Sequence, residues 1–346
     1  MTDAFPATCR TVRAHRHVAL GVALCLVALT ATGCSLKRMA VKTMADALSE
    51  GTSAYATDDD PQLVKDSLPF GLKTLEGLLP TVPKHRGLLR SLASGFTSYS
   101  AAFIVPEVRP LQEVDVDRAR AERVRARRMF LRGREYGLRA LEVAYPGFRK
   151  QLADDPKKAV ARTVKADVPD LYWTAAAWGM AISNGKDQTD LIGDVPIVET
   201  LITRAYELDE AWDDGSIHEF LIAFESRGTE MGGSLERARQ HFDRAMELAH
   251  GRKIGPLVSL AENVSIQTQN RKEFDTLLDE ALAFDTDKYV ETRLVNVLAQ
   301  RKAQQLKAMA GELFLEEKTS WLSDITRTAS GAWDLFWRSA SASLWP

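Results

Sequence analysis

Three stretches of the chain share one helical spacing, and that spacing limits the fold more than any other feature. Ala238, Phe242, Ala245 and Leu248 fall on one face of a helix, with steps of four, three and three residues. Val198, Ile202, Ala205 and Leu208 repeat those steps 40 residues earlier. Phe274, Leu278, Ala281 and Phe284 repeat them 36 residues after Ala238. A pattern that returns at such a period is a structural unit used several times over. No single unit buries its apolar face alone, so the units must stack.

Small, large, small is the order found in the second helix of a tetratricopeptide repeat, where alanines let neighbouring helices approach and an aromatic fills the groove. Trp178-Gly179, with Ile182 three residues on, matches the first-helix positions. Periods of 36 and 40 rather than 34 mark degenerate repeats with lengthened loops. The expected fold class is all-α: a tetratricopeptide-like array of helical hairpins, a curved α-solenoid whose concave face presents side chains from many helices. Strand-like alternation is absent. Asp60-Pro61 and Asp155-Pro156 each set a capping carboxylate before a first-turn proline, and Ser234 opens Leu235–Ala249 in the same way. Breaks are expected at 80–83, 106–110, 145–147, 185–187 and 255–256, with further hairpins around 63–79 and 88–103.

The ends read differently from the middle. Residues 1–17 carry Arg10, Arg13 and Arg16, and Val18–Leu29 is an unbroken apolar run. About a dozen residues suit the apolar region of a signal peptide, not a membrane span, which needs ~20. The run closes on Ala31-Thr32-Gly33-Cys34, which resembles a bacterial lipobox, although Ala31 stands where Leu is usual. Residues 1–33 are therefore expected to be removed and Cys34 to carry the lipid. Cys9 and Cys25 leave with the peptide, so the exported domain has no disulfide to hold it together. Ser35, not Asp, follows the cysteine, which by resemblance to lipoprotein sorting points to the periplasmic face of the outer membrane. Residues 34–318 form the repeat domain. The tail 319–346 holds four of the seven tryptophans, with Trp333, Phe336 and Trp337 at i, i+3, i+4 spacing. That segment suits a membrane interface or a partner contact, and equally a terminal helix closing the array.

A net charge of −2 gives no global reason to expect nucleic acid. Nine arginines against two glutamates between Arg118 and Arg139 read as a solvated face or as an anion-facing one. Catalytic constellations are missing: no His-Glu-x-x-His, no nucleophile elbow, no phosphate loop and no mature free thiol, so neither enzyme, metal nor cofactor is expected. Tyr172, Trp173 and Trp178 stand on a helix otherwise made of small residues. Such aromatics either line a cavity or pack between hairpins. His218-Glu219 is a neighbouring histidine–carboxylate pair, but adjacent helical residues point apart. Asp213-Asp214-Gly215-Ser216 ahead of it reads as a helix start with capping acids. The candidate ligand residues are thus Tyr172, Trp173, Trp178, His218 and Glu219.

At these motifs the chain resembles a known family. Asp-Val-Pro-Asp-Leu-Tyr-Trp-Thr-Ala-Ala-Ala-Trp-Gly (167–179), Asp-Val-Pro-Ile-Val-Glu (194–199), Asp-Asp-Gly-Ser-Ile-His-Glu-Phe-Leu (213–221), Met-Gly-Gly-Ser-Leu-Glu-Arg-Ala-Arg (231–239) and Val-Leu-Ala-Gln-Arg-Lys-Ala (297–303) look like the TatT family, the T-component of TRAP (tripartite ATP-independent periplasmic) transporters. The likeness runs from about Asp46 to Phe314. It implies a periplasmic lipoprotein forming homotrimers, each protomer with a hydrophobic cavity or pore, that docks the substrate-binding P-component. The function expected is an accessory role in solute uptake, binding or relaying a small hydrophobic ligand. A scaffold for envelope assembly, using the same concave surface on a peptide, is the alternative.

Overall fold

The computed structural model describes residues 36–49 and 53–315, and no strand occurs among them. Cys34 and the aromatic residues Trp333, Phe336 and Trp337 lie outside the described residues. The principal helices are α1 (36–49), α2 (Pro61–Leu78), α3 (Arg86–Tyr99), α4 (Val116–Ala144), α5 (Val168–Ser183), α6 (Val195–Asp209), α7 (Trp212–Glu225), α8 (Leu235–Ala249), α9 (Gly255–Leu260), α10 (Arg271–Ala283) and α11 (Arg293–Ala308). Short helical turns fill several of the connections.

Their starts follow from local chemistry. The Asp60 carboxylate accepts from the N–H groups of Gln62 and Leu63, and Ser234 Oγ accepts from Arg237 N–H, so free donors of the first turn are satisfied. One expected break is not a break. Pro106 and Pro110 sit inside a helical segment, Val105–Val114, that continues α3 through a π turn at Ser100–Ile104. The wider turn shifts the hydrogen-bond register just before Pro106, the residue with no N–H to offer, and so absorbs the proline.

Consecutive helices pack as hairpins, and the alternate helices form an inner row: α3 meets α5, α5 meets α7, α7 meets α9 and α9 meets α11. The repeat positions explain the hairpins. Val198, Ile202, Ala205, Ala238, Ala245, Phe274, Leu278 and Ala281 are all buried. Within α4, a Cβ on Gly133 would press on Thr97 Oγ1 and one on Gly137 on Thr174 Oγ1, so glycine there lets α4 lie close to both α3 and α5. The inner row also returns on itself. α11 packs against α2 and the turn Ser53–Ala56, Arg293 donates to the Thr57 carbonyl at 3.3 Å, and Leu294 joins the apolar cluster that holds Val64 and Leu72. This is an all-α helical repeat array whose last inner helix touches its first hairpin. No described helix is long and apolar enough to cross a membrane.

Candidate functional site

The start of α5 is fixed by a buried charge network. Arg86 donates to both Asp167 and Asp170, Arg90 donates to Asp170 at 2.6 Å, and Tyr145 Oη donates to Asp167. Burial pushes the Asp167 carboxyl up, but hydrogen bonds from Tyr145, the Val164 N–H and Arg86 outweigh it and hold the group below the usual range. The two acids of the Asp-Val-Pro-Asp motif therefore join α3 to α5, and they set the rotation at which α5 shows its next turn to the inner face.

That next turn carries Tyr172 and Trp173. Tyr172 is the hub of an aromatic cluster: its ring centroid lies 4.7 Å from Trp212, 5.1 Å from Trp173 and 6.4 Å from Phe220. Phe220 rests against α5 at Gly179, where a Cβ would stand 3.3 Å from the ring, so the Trp-Gly pair is a seat for this phenylalanine. Glu219 comes from the same turn of α7, and its carboxylate lies over Gly255 at the start of α9. Any Cβ at Gly255 would overlap it at 2.3 Å.

The polar groups of this cluster are unspent. Among the described residues no hydrogen bond reaches the Tyr172 hydroxyl or the Glu219 carboxyl, whereas Trp178 Nε1 donates to Asp194 at 3.0 Å. Tyr172 and Glu219 both keep accessible surface, yet burial is the largest influence on each and pushes both pKa values up. Half-buried groups on which burial acts so strongly are walled by protein on most sides, and they face into a recess of the array. Glu219 and Asp213 add to the rise at Tyr172, which sets all three groups close together. Lys253 pulls Glu219 the other way, but its ammonium is already held by Asp213 and Ser216.

The two other candidates stand apart from this recess. Trp178 is 7% exposed, its N–H is committed to Asp194, and the Arg134 guanidinium lies 4.7 Å over its ring. His218 faces away from Glu219, toward α8: its Nδ1 is 3.0 Å from His241 Nδ1, with Tyr206 edge-on to both rings. One ring must donate and the other accept, so the accepting ring is neutral and the two cannot both be protonated. Burial first, and then the neighbouring His241, lowers His218 to about 4. The acids before it do not form an ordinary capped start. Asp213, Asp214 and Gly215 are all left-handed, and Asp213 Oδ2 accepts from Ser216 Oγ and Lys253 while Asp214 pairs with Arg252.

Sequence reasoning missed Trp212, Phe220, Asp213 and Gly255 as partners of the motif on α5. A spacing signal existed for one of them: Phe220 and Phe224 are four apart on α7, opposite a glycine. Among the described residues no group of three or more His, Cys, Asp or Glu side chains is placed to hold a metal ion.

Comparison with known proteins gives this geometry a lineage. A curated protein of Treponema pallidum (strain Nichols), described as an uncharacterized protein, is 30% identical over 307 residues, spanning 83% of this chain and 95% of its own length. The family model for the TRAP transporter T-component matches residues 57–314, which takes in both the charge network and the aromatic recess. With most of its length inside that match, the chain belongs to the TRAP transporter T-component family, accessory components of TRAP transport.

Proposed function

We propose that the protein is a periplasmic lipoprotein subunit of a TRAP-type uptake system that binds or relays a small apolar organic solute and docks the periplasmic substrate-binding protein. The observation that carries this reading is the recess between α5 and α7, where three aromatic rings gather round Tyr172 on an inner row of helices that returns on itself. Apolar walls with a few convergent polar groups are the usual make-up of a small-molecule site. Lipidation at Cys34 would hold the protein at the inner leaflet of the outer membrane, with several acyl chains each contributing ~0.8 kcal/mol per buried methylene. In this reading Tyr172, Trp173 and Glu219 touch the ligand, Trp178 supports α5 from behind, and homotrimers are the working state.

Native mass spectrometry of the mature lipoprotein, alone and with a co-encoded substrate-binding protein, tests this. A trimer that retains an apolar small molecule and gains the binding protein is the expected spectrum. An empty monomer that ignores the binding protein, together with capture of extended peptides, would move the assignment to an envelope scaffold.

A further inference from the structure

The recess has a charge as well as a shape, and the charge narrows its ligand. Glu219 and Asp213 bring two carboxylates to it, and Lys253 brings one ammonium. Lys253 spends its donors on the Asp213 carbonyl, Asp213 Oδ2 at 3.1 Å and Ser216 Oγ at 3.0 Å. Lys253 is paired with Asp213, and Glu219 makes no ion pair of its own among the described residues. A walled-in carboxyl with no ion pair is costly to ionise and is kept where something arrives to pair with it. The rings of Tyr172, Trp212 and Phe220 gather in the same recess, with Trp173 edge-on to Tyr172. Ring faces attract cations, and tryptophan does so most strongly.

We infer that this site selects a small apolar solute bearing an organic cation, a protonated or quaternary amine, whose charge pairs with Glu219 while its hydrocarbon part lies against Tyr172, Trp212 and Phe220. The inference rests on the reading of the recess as a ligand site. The left-handed run Asp213–Gly215 belongs to it, because that turn holds Asp213 against Lys253 and so keeps the lysine from pairing with Glu219. Gly255 belongs to it too: only a residue without Cβ leaves the carboxylate its place over α9.

Three probes on one skeleton decide the matter: 2-phenylethylammonium, 2-phenylethanol and phenylacetate, titrated calorimetrically into the full-length mature protein. The amine should bind about tenfold tighter than the alcohol, the gain of one desolvated cation–carboxylate contact, with the acid weakest. Glu219→Gln should bring the amine to the level at which the same variant binds the alcohol. Equal binding of amine and alcohol by the wild-type protein, or tightest binding of the acid, removes the cationic class while the apolar recess stands. Failure of all three probes removes both.

Discussion

Asp170 and Tyr172 sit two residues apart on α5, the first sealed from solvent and the second half-buried, and they spend their polar atoms in opposite ways. The Asp170 carboxylate accepts from Arg86 and Arg90, and its side chain is 0% exposed. The Tyr172 hydroxyl makes no hydrogen bond within the described residues, and the nearby Glu219 carboxyl makes none either. A buried polar group with every partner in place is part of the framework. One left open stores a cost that only a further molecule removes. The same helix therefore carries its anchor on one turn and its binding surface on the next, and the anchor determines where that surface points.

If this division is right, breaking the anchor has the largest effect. Asp170→Ala strands two arginines against α5, and loss of one partner of a buried pair costs about 3–5 kcal/mol. The lower end is expected, because the Arg86 and Arg90 side chains keep 29% and 33% exposure and can recover water. Urea denaturation with an unchanged slope would read this as a fall in midpoint. A loss under 1 kcal/mol would mean that the network is ornamental and that Asp167 alone holds α5.

A second region, between α7 and α8, sharpens the comparison because its polar pair is satisfied only while at least one ring stays neutral. His218 is 2% exposed and lowered to about 4, and His241 is lowered by the same burial. Around them stand Glu210, Arg244, Glu225 and Arg237, and Glu210 Oε2 lies 3.3 Å from His218 Nε2. Because the folded-state pKa of His218 lies below its unfolded value near 6.5, the stability it contributes is complete above pH 6.5 and drains as pH falls toward 4. The full loss is about 3 kcal/mol for this one group. Thermal melts between pH 7 and 4 should fall steeply across that window, and His218→Phe should flatten the slope. An unaltered acid slope in the variant would assign the lability elsewhere.

How much of this was legible in the sequence depended on range. Caps are local, so Asp60, Asp155 and Ser234 declared their helices, and the repeat spacing gave the hairpins because residues four and three apart share a helix face. The helix through Pro106 was hidden, since proline normally ends a helix and a π turn leaves no composition signal. Asp213 and Asp214 look like capping acids, yet the backbone there is left-handed, a state chosen by Lys253 and Arg252 from 40 and 38 residues away. Within the site, the aromatic motif on α5 was visible, but its division was not. Whether an indole is spent depends on Asp194 reaching Trp178 and on nothing described bonding the hydroxyl of Tyr172. Trp212, Phe220 and Gly255 join the site through packing between helices, which no spacing along one helix reports.

The smallest expected effect on stability is the most telling one. Tyr172→Phe removes a hydroxyl that bonds nothing in the described structure, and Glu219→Gln removes a charge that burial disfavours. For an ordinary buried tyrosine or glutamate, losing the polar group costs 1–3 kcal/mol or so, because its partner is left stranded. Here no partner among the described residues is stranded, so Tyr172→Phe should lie within about 0.5 kcal/mol of the parent and Glu219→Gln at or slightly above it. Thermal melts of the ligand-free protein at pH 7 measure both. A loss above 1 kcal/mol in either would reveal an internal partner for the group, and the contrast with Asp170 would shrink to two anchors of unequal strength. A gain in Glu219→Gln is the sign of a residue kept against the interest of the fold, which is what a ligand contact on a structural helix should look like.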